Sequence, residues 1–192
     1  MSPHPSGTLP WPANFAAPLD QARYSLSPPF ETPISLAIPE AGWYAGHVHP
    51  DFIDLQRFDG VDVGSFPTRM LGFGLPGSIR GVDGAVAAAG LTPAAAIDLL
   101  RGPSSIKATN AAAVNLIGLA GERVDLHSDL GSNPIFETSD GAFGLGPELD
   151  LRLSVLPLDG GLLVVAVLAP ASELEAAWTD GLPILASTKL EP

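Results

Sequence analysis

Two apolar runs joined by Asp159-Gly160-Gly161 restrict the fold of this chain more than any other segment. In "LDLRLSVLPLDGGLLVVAVLAP", Leu149, Leu151, Leu153 and Val155 alternate with other residues, the pattern of a strand with one buried face. The Asp-Gly-Gly turn then leads into Leu162 to Leu168, which is apolar on both faces. A strand of that kind belongs in the middle of a sheet, with a helix over it. The next segment, "PASELEAAWTDG", supplies one: Ser172 as N-cap, Leu174, Ala177 and Trp178 on one face, and Gly181 at the end.

The rest of the chain reads as short elements. The 20 prolines and 21 glycines in 192 residues demand many turns, and a helical bundle is excluded. Ile34, Leu36 and Ile38 alternate in a strand that Pro39 ends, and segments 43–49, 52–58 and 66–76 continue as a meander. "LTPAAAIDLLRG" is a helix with Thr92 as N-cap, Pro93 in its first turn and Gly102 at its stop. Two strands follow in "SSIKATNAAAVNLIGLAGERVDLHS", with Val124 and Leu126 facing inward. The fold class is α+β, an antiparallel β-sheet with helices packed on its faces. Residues 1–30 carry seven prolines and no hydrophobic period, and read as an extended arm that Trp11 and Phe15 can pin down. Residues 31–192 read as a single domain.

Charge and cysteine content remove several functions. The formal net charge of −12, with no basic cluster, argues against nucleic acid and against anionic membranes as partners. With no cysteine there is no thiol catalysis, no disulfide and no thiolate zinc site. The first residues lack a basic, apolar leader pattern, and no apolar run has the length of a membrane span, so no membrane insertion is expected. Two locations remain: the cytoplasm, or outside it as an exported domain whose leader or anchor is not in this chain.

Chemistry concentrates in "GWYAGHVHPDF". His47, His49 and Asp51 alternate, and in an extended strand all three can face one ion. Imidazole and carboxylate are ligands for zinc, iron or manganese. The spacing resembles the His-x-His-x-Asp-His run of metallo-β-lactamases, with Phe52 in place of the last histidine, and the His-x-His of amidohydrolases. The only further histidines are His4 and His127, the latter between Asp125 and Asp129. The metal candidates are therefore His47, His49, Asp51 and His127, set against a polar turn with no cofactor. "GFGLPG" matches Gly-x-Gly-x-x-Gly at Gly72, Gly74 and Gly77, but Pro76 and the following "SIRGVDG" open no helix, so these glycines serve a turn or bulge.

On a larger scale, "PEAGW", "PDFIDLQRF", "GLAGERVDLH", the hairpin with Arg152, Asp159 and Gly160, and the closing "LPILASTKL" follow one another across roughly residues 30 to 190. That order resembles the PsbP-like and LpqN-like extracytoplasmic domains of actinobacteria and related bacteria. The resemblance implies a sheet sandwiched by helices and a non-catalytic binding or interaction module of the cell envelope, with a protein partner or small ligand. It brings no catalytic residues. The alternative is a small metal-dependent enzyme, hydrolase or dioxygenase-like, built on His47 and His49.

Overall fold

The structure, a computed structural model, describes residues 7–27, 30–103, 105–129 and 133–191. Residues 7–27, read as an irregular arm, contribute β1 (Thr8–Pro10) and β2 (Arg23–Ser25). Trp11, Leu19, Tyr24 and Leu26 are buried with the main core, whereas Phe15 is 49% exposed. Apolar side chains without a period still gain by burial when prolines, not a helix or strand, set their spacing.

The meander follows as β3 (Ile34–Ala37), β4 (Tyr44–His49), β5 (Phe52–Arg57) and β6 (Arg69–Gly74). A small hairpin, β7 (Ser78–Gly81) and β8 (Gly84–Ala87), precedes helix α1 (Pro93–Arg101). Thr92 caps α1 as expected, its side chain accepting from the Ala95 N–H. Then come β9 (Ile106–Leu116), β10 (Leu119–Ser128), β11 (Asn133–Thr138), β12 (Gly141–Leu145), β13 (Leu149–Leu158) and β14 (Gly161–Pro170). Helix α2 (Leu174–Ser187) and β15 (Lys189–Leu190) close the chain.

The fold is mostly antiparallel sheet with two helices, but the strands divide among three sheets where one was expected. Seven run β4-β5-β6-β14-β13-β10-β9, four run β1-β2-β3-β15 and four run β12-β11-β7-β8. The β1–β2 pair is parallel. Size explains the division. Seven strands span about 30 Å, and a helix is about 10 Å across, so one helix covers only part of a face. On one face α2 shares the cover with the β3 sheet; on the other α1 shares it with the β7 sheet.

β14 is the middle strand of the seven, as its sequence requires. Leu163, Val165, Val167 and Ala169 enter the core under α2, and Leu162, Val164, Ala166 and Leu168 enter the core under α1. Helix α2 departs from expectation at both ends. Ser172 lies in a 3-10 turn, Ala171–Glu173, instead of capping, and the helix passes Gly181 and Pro183 to end at Ser187. Ile184 and Leu185 are 0% and 2% exposed there, and their burial outweighs the local stop signals.

The face under α2 also holds a buried ion pair. Arg152 on β13 donates to both oxygens of Asp125 on β10, at 2.8 and 2.9 Å, and the two residues are cross-strand partners. Burial works to raise the Asp125 carboxyl, yet the bonds from Arg152 and from the Asn110 amide hold it below the usual carboxylate range. Trp178 of α2 covers the guanidinium at 5.4 Å. Asn110 reaches Asp125 because β9 bulges there: Asn110 takes a φ of 51°, and the register with β10 shifts between Arg123 and Asp125. Removing one partner strands a buried charge. Asp125→Ala is expected to cost about 3–5 kcal/mol in urea unfolding, while the double replacement Asp125→Leu, Arg152→Met recovers much of it. Glu175→Ala, which removes a partner on the exposed side of Arg152, is expected to cost no more than about 1 kcal/mol.

Candidate functional site: a histidine cleft beside a strand bulge

The outer strand β4 of the central sheet, met at Trp43 and Ala45 by hydrogen bonds with residues 16–19, is distorted where the histidines lie. Ala45 pairs with Leu55 and Val48 with Ile53, so Gly46 and His47 together oppose Asp54. This is a β-bulge, one extra residue on β4. The Asp54 carboxylate fills it. Asp54 is 0% exposed; it accepts from the His47 N–H at 2.6 Å and from Gln56 Nε2 at 2.7 Å, and meets His47 Nδ1 at 3.1 Å. A Cβ on Gly46 would lie 2.3 Å from Asp54 Oδ2, so only glycine leaves room for the carboxylate. The bond from Asp54 raises the His47 pKa and places the Nδ1 proton between them, leaving Nε2 available.

His49 comes next on the same side of β4. Its ring lies 6.3 Å from that of His47, at 20°. Its Nδ1 is in contact with Asp140, in the turn between β11 and β12. The same turn is held a second time, the Ser139 N–H donating to the Asp51 carboxylate. Two turns, 50–51 and 139–140, are thus clasped across a cleft of about 250 Å³. His47, His49 and Asp140 line it together with Phe52, Met70, Thr138 and Phe143. The glycines of "GFGLPG" serve this region. Gly72 and Gly74 lie within β6 under the Phe52 ring, where a Cβ would come within 3.0 and 3.3 Å of ring carbons. Strand β7, not a helix, follows Gly77.

Of the four candidate metal ligands, only His47 and His49 line this cleft. Strand β4 ends at His49, and the turn at Pro50 and Asp51 breaks the alternation, so Asp51 points to Ser139. His127 is far away. Four strands separate β4 from β10, about 24 Å of sheet. Register also puts His127 on the α2 face with Asp125, whereas His49 pairs with Phe52 on the α1 face. Both nitrogens of His127 are engaged, Nδ1 with Asp150 at 2.6 Å and Nε2 with Asp129 at 3.0 Å. His4 lies outside the described residues. Among those residues no three His, Cys, Asp or Glu side chains gather as a metal site.

Asp140, Met70 and Phe143 were not singled out from sequence, and Asp54 was read only as one of an acidic pair with Asp51, not as the partner of His47. Asp54 left one signal, a carboxylate inside the apolar strand "FIDLQ". Asp140 left none, since its contact with His49 spans two distant turns.

No family model matches the chain, and no curated protein matches it in sequence. Solved structures align with most of the chain's length. The cyanobacterial PsbP protein CyanoP of Synechocystis sp. PCC 6803 aligns over 98% of this chain and 100% of its own, at 14% identity and a TM-score of 0.46. LpqN of Mycobacterium tuberculosis, involved in cell envelope biogenesis, aligns over 94% of this chain and 87% of its own, at 11% identity and a TM-score of 0.31. Among the described residues no helix is long and apolar enough to cross a membrane.

Two measurements check this geometry. Gly46→Ala forces a methyl against the buried Asp54 carboxylate and is expected to destabilise the fold by about 1–3 kcal/mol in chemical unfolding. His127 is raised above its ordinary 6.5 by its bond to Asp150, opposed by slight burial and reinforced by Asp129. A raised folded pKa stabilises in full below the unfolded value and is lost as pH rises through the folded value. Wild type is therefore expected to exceed His127→Gln in stability most below pH 6.5, and the gap is expected to shrink as the pH rises through the higher folded value.

Proposed function

We propose that this protein is a non-catalytic binding or interaction module of the cell envelope, and that the histidine cleft is its ligand seat. The observation that carries the reading is a pair of imidazoles, each tied back through Nδ1 to a carboxylate, beside the apolar side chains of Phe52, Met70 and Phe143. A few fixed polar groups over apolar surface make up a small-molecule seat. At about 250 Å³ the cleft is below the usual range for drug-sized ligands, and suits a small ligand or one side chain of a protein partner. The envelope location is supported by the sequence pattern of residues 30–190. A second reading, a small metal-dependent enzyme of hydrolase or dioxygenase type, draws on one observation. His47 and the buried Asp54 have the arrangement of a general base and its orienting carboxylate.

Amide shift mapping with a set of small aromatic and polar fragments tests the proposal. Binding is expected to move resonances of His47, His49, Ala142 and Phe143, to disappear in Phe143→Ala, and to return every compound unchanged. Shifts scattered over the surface would remove the cleft as the seat. Chemical conversion of a fragment, lost in His47→Gln, would replace the binding module by the enzyme.

A further inference from the structure

The outer strand of a sheet carries main-chain donors and acceptors that no neighbour uses, a template for another strand. Most such edges in this chain are blunted. β4 is met by residues 16–19 and bulges at Gly46 and His47. The edge strands of the small sheets, β1, β15, β8 and β12, have only 3, 2, 4 and 5 residues. β9 has 11, and among the described residues no main-chain bond reaches the outer side of its stretch from Ala111 to Leu116. We propose that β9 is a self-association edge, through which two copies of this chain join antiparallel about a two-fold axis at Ala113. The inference is independent of the histidine cleft, which lies at the opposite edge of the same sheet.

The turn between β9 and β10 fixes which groups are free. Leu116 pairs with Leu119 across Ile117 and Gly118, whose φ values are 49° and 80°. This is the two-residue hairpin turn, and its flanking residues bond to each other. Bonding alternates along an antiparallel pair, so Leu116, Val114 and Ala112 use their groups on β10. Asn115, Ala113 and Ala111 therefore present theirs outward. With Ala113 opposite the same residue of a second copy, each Ala111 lies opposite an Asn115, and all three residues can exchange both bonds. The bulge at Asn110 falls outside this stretch.

Charge and side-chain size single out a second copy as the occupant. From Ala108 to Leu116 the strand holds no charged residue, in a chain of net charge −12. The usual guards against edge pairing, a central lysine or a proline, are absent there. Ala111, Ala112 and Ala113 are exposed and too small to screen the main chain. In the two-fold register Ala112 meets Val114 on one face and Ala111 meets Asn115 on the other, so no like charges are opposed. The nearest charges are Glu122 and Arg123 on β10, opposite Ala113 and Ala112. Their counterparts in the second copy lie three strand spacings away, about 14 Å, beyond the screening length of about 8 Å at physiological salt. Selecting a foreign peptide takes side-chain pockets along the edge, and β9 offers alanines instead. A contact along six residues is smaller than a standard interface, so the association is weak and rises with concentration.

Sedimentation equilibrium of the full chain, from about 10 μM to about 1 mM, is expected to show monomer and dimer in exchange. Amide hydrogen exchange at Ala111, Ala113 and Asn115 is expected to slow as the concentration rises. Ala113→Pro removes an outward N–H that the β10 ladder does not use, and Ala113→Lys sets like charges face to face across the axis. Both are expected to keep the circular dichroism of the wild type and to weaken association about tenfold or more. Mixing Ala113→Lys with Ala113→Glu is expected to restore it, because the two-fold register places the two substituted side chains directly opposite. A monomer at every concentration overturns the proposal, as does association that Ala113→Pro and Ala113→Lys leave unchanged. Failure of the mixed pair to associate removes the register and the proposal with it. If the chain stays monomeric while an unrelated extended peptide shifts the β9 amides, the edge takes a foreign strand and the second copy falls.

Discussion

Strand β14 sets the architecture because it cannot present either face to water. Its eight central side chains, Leu162 to Ala169, divide equally between the two cores. At about 25 cal/mol per Å² of apolar surface, leaving one of these faces uncovered would forfeit several kcal/mol, a large share of a domain's net stability. Both faces must therefore be covered around the centre of the seven-stranded sheet, while the edge strand β9 stays largely exposed. With two α-helices among the described residues, of 9 and 14 residues, the chain completes the cover with two small sheets. Residues 7–26 are recruited to one of them, and the β7–β8 and β11–β12 hairpins build the other.

Two carboxylates interrupt the apolar layers, and each is handled by a bulge. Asp125 is met by Arg152 from the next strand and by Asn110, which the β9 bulge turns toward it. Asp54 is met by the main-chain N–H and ring of His47 at the β4 bulge, and by Gln56. A buried ion tolerates burial only when its lone pairs are filled, and a regular ladder leaves no spare N–H to fill them. The β4 bulge frees the His47 N–H for Asp54, and the β9 bulge brings the Asn110 side-chain amide to Asp125. On the α2 face the result is a rigid ion pair under Trp178. On the α1 face it is a histidine with a fixed ring and an open Nε2 at the rim of a cleft.

The sequence was most legible where one element explains its own pattern. Thr92-Pro93 marked α1, Asp159-Gly160-Gly161 marked the long hairpin, and the apolar run after it marked the central strand. It was least legible where a distant surface overrode a local signal. Gly181 read as the end of a helix, yet it and Pro183 lie inside α2 because Ile184 and Leu185 have sheet to cover. Trp11 and Tyr24 read as parts of an arm, and both are core. In the candidate site, the alternation of His47 and His49 was visible and that of Asp51 was misleading, since the alternation ends with the strand.

By itself, then, the sequence determined the strand-rich α+β character, the central strand and the position of the two histidines, because these follow from alternation and turn chemistry within a few residues. Only the tertiary structure decided what those histidines face. Asp54 reaches His47 through a one-residue slip in register, and Asp140 and Met70 arrive from separate strands and turns. Such contacts depend on how sheets stack and how hairpin tips meet, and no local pattern encodes that.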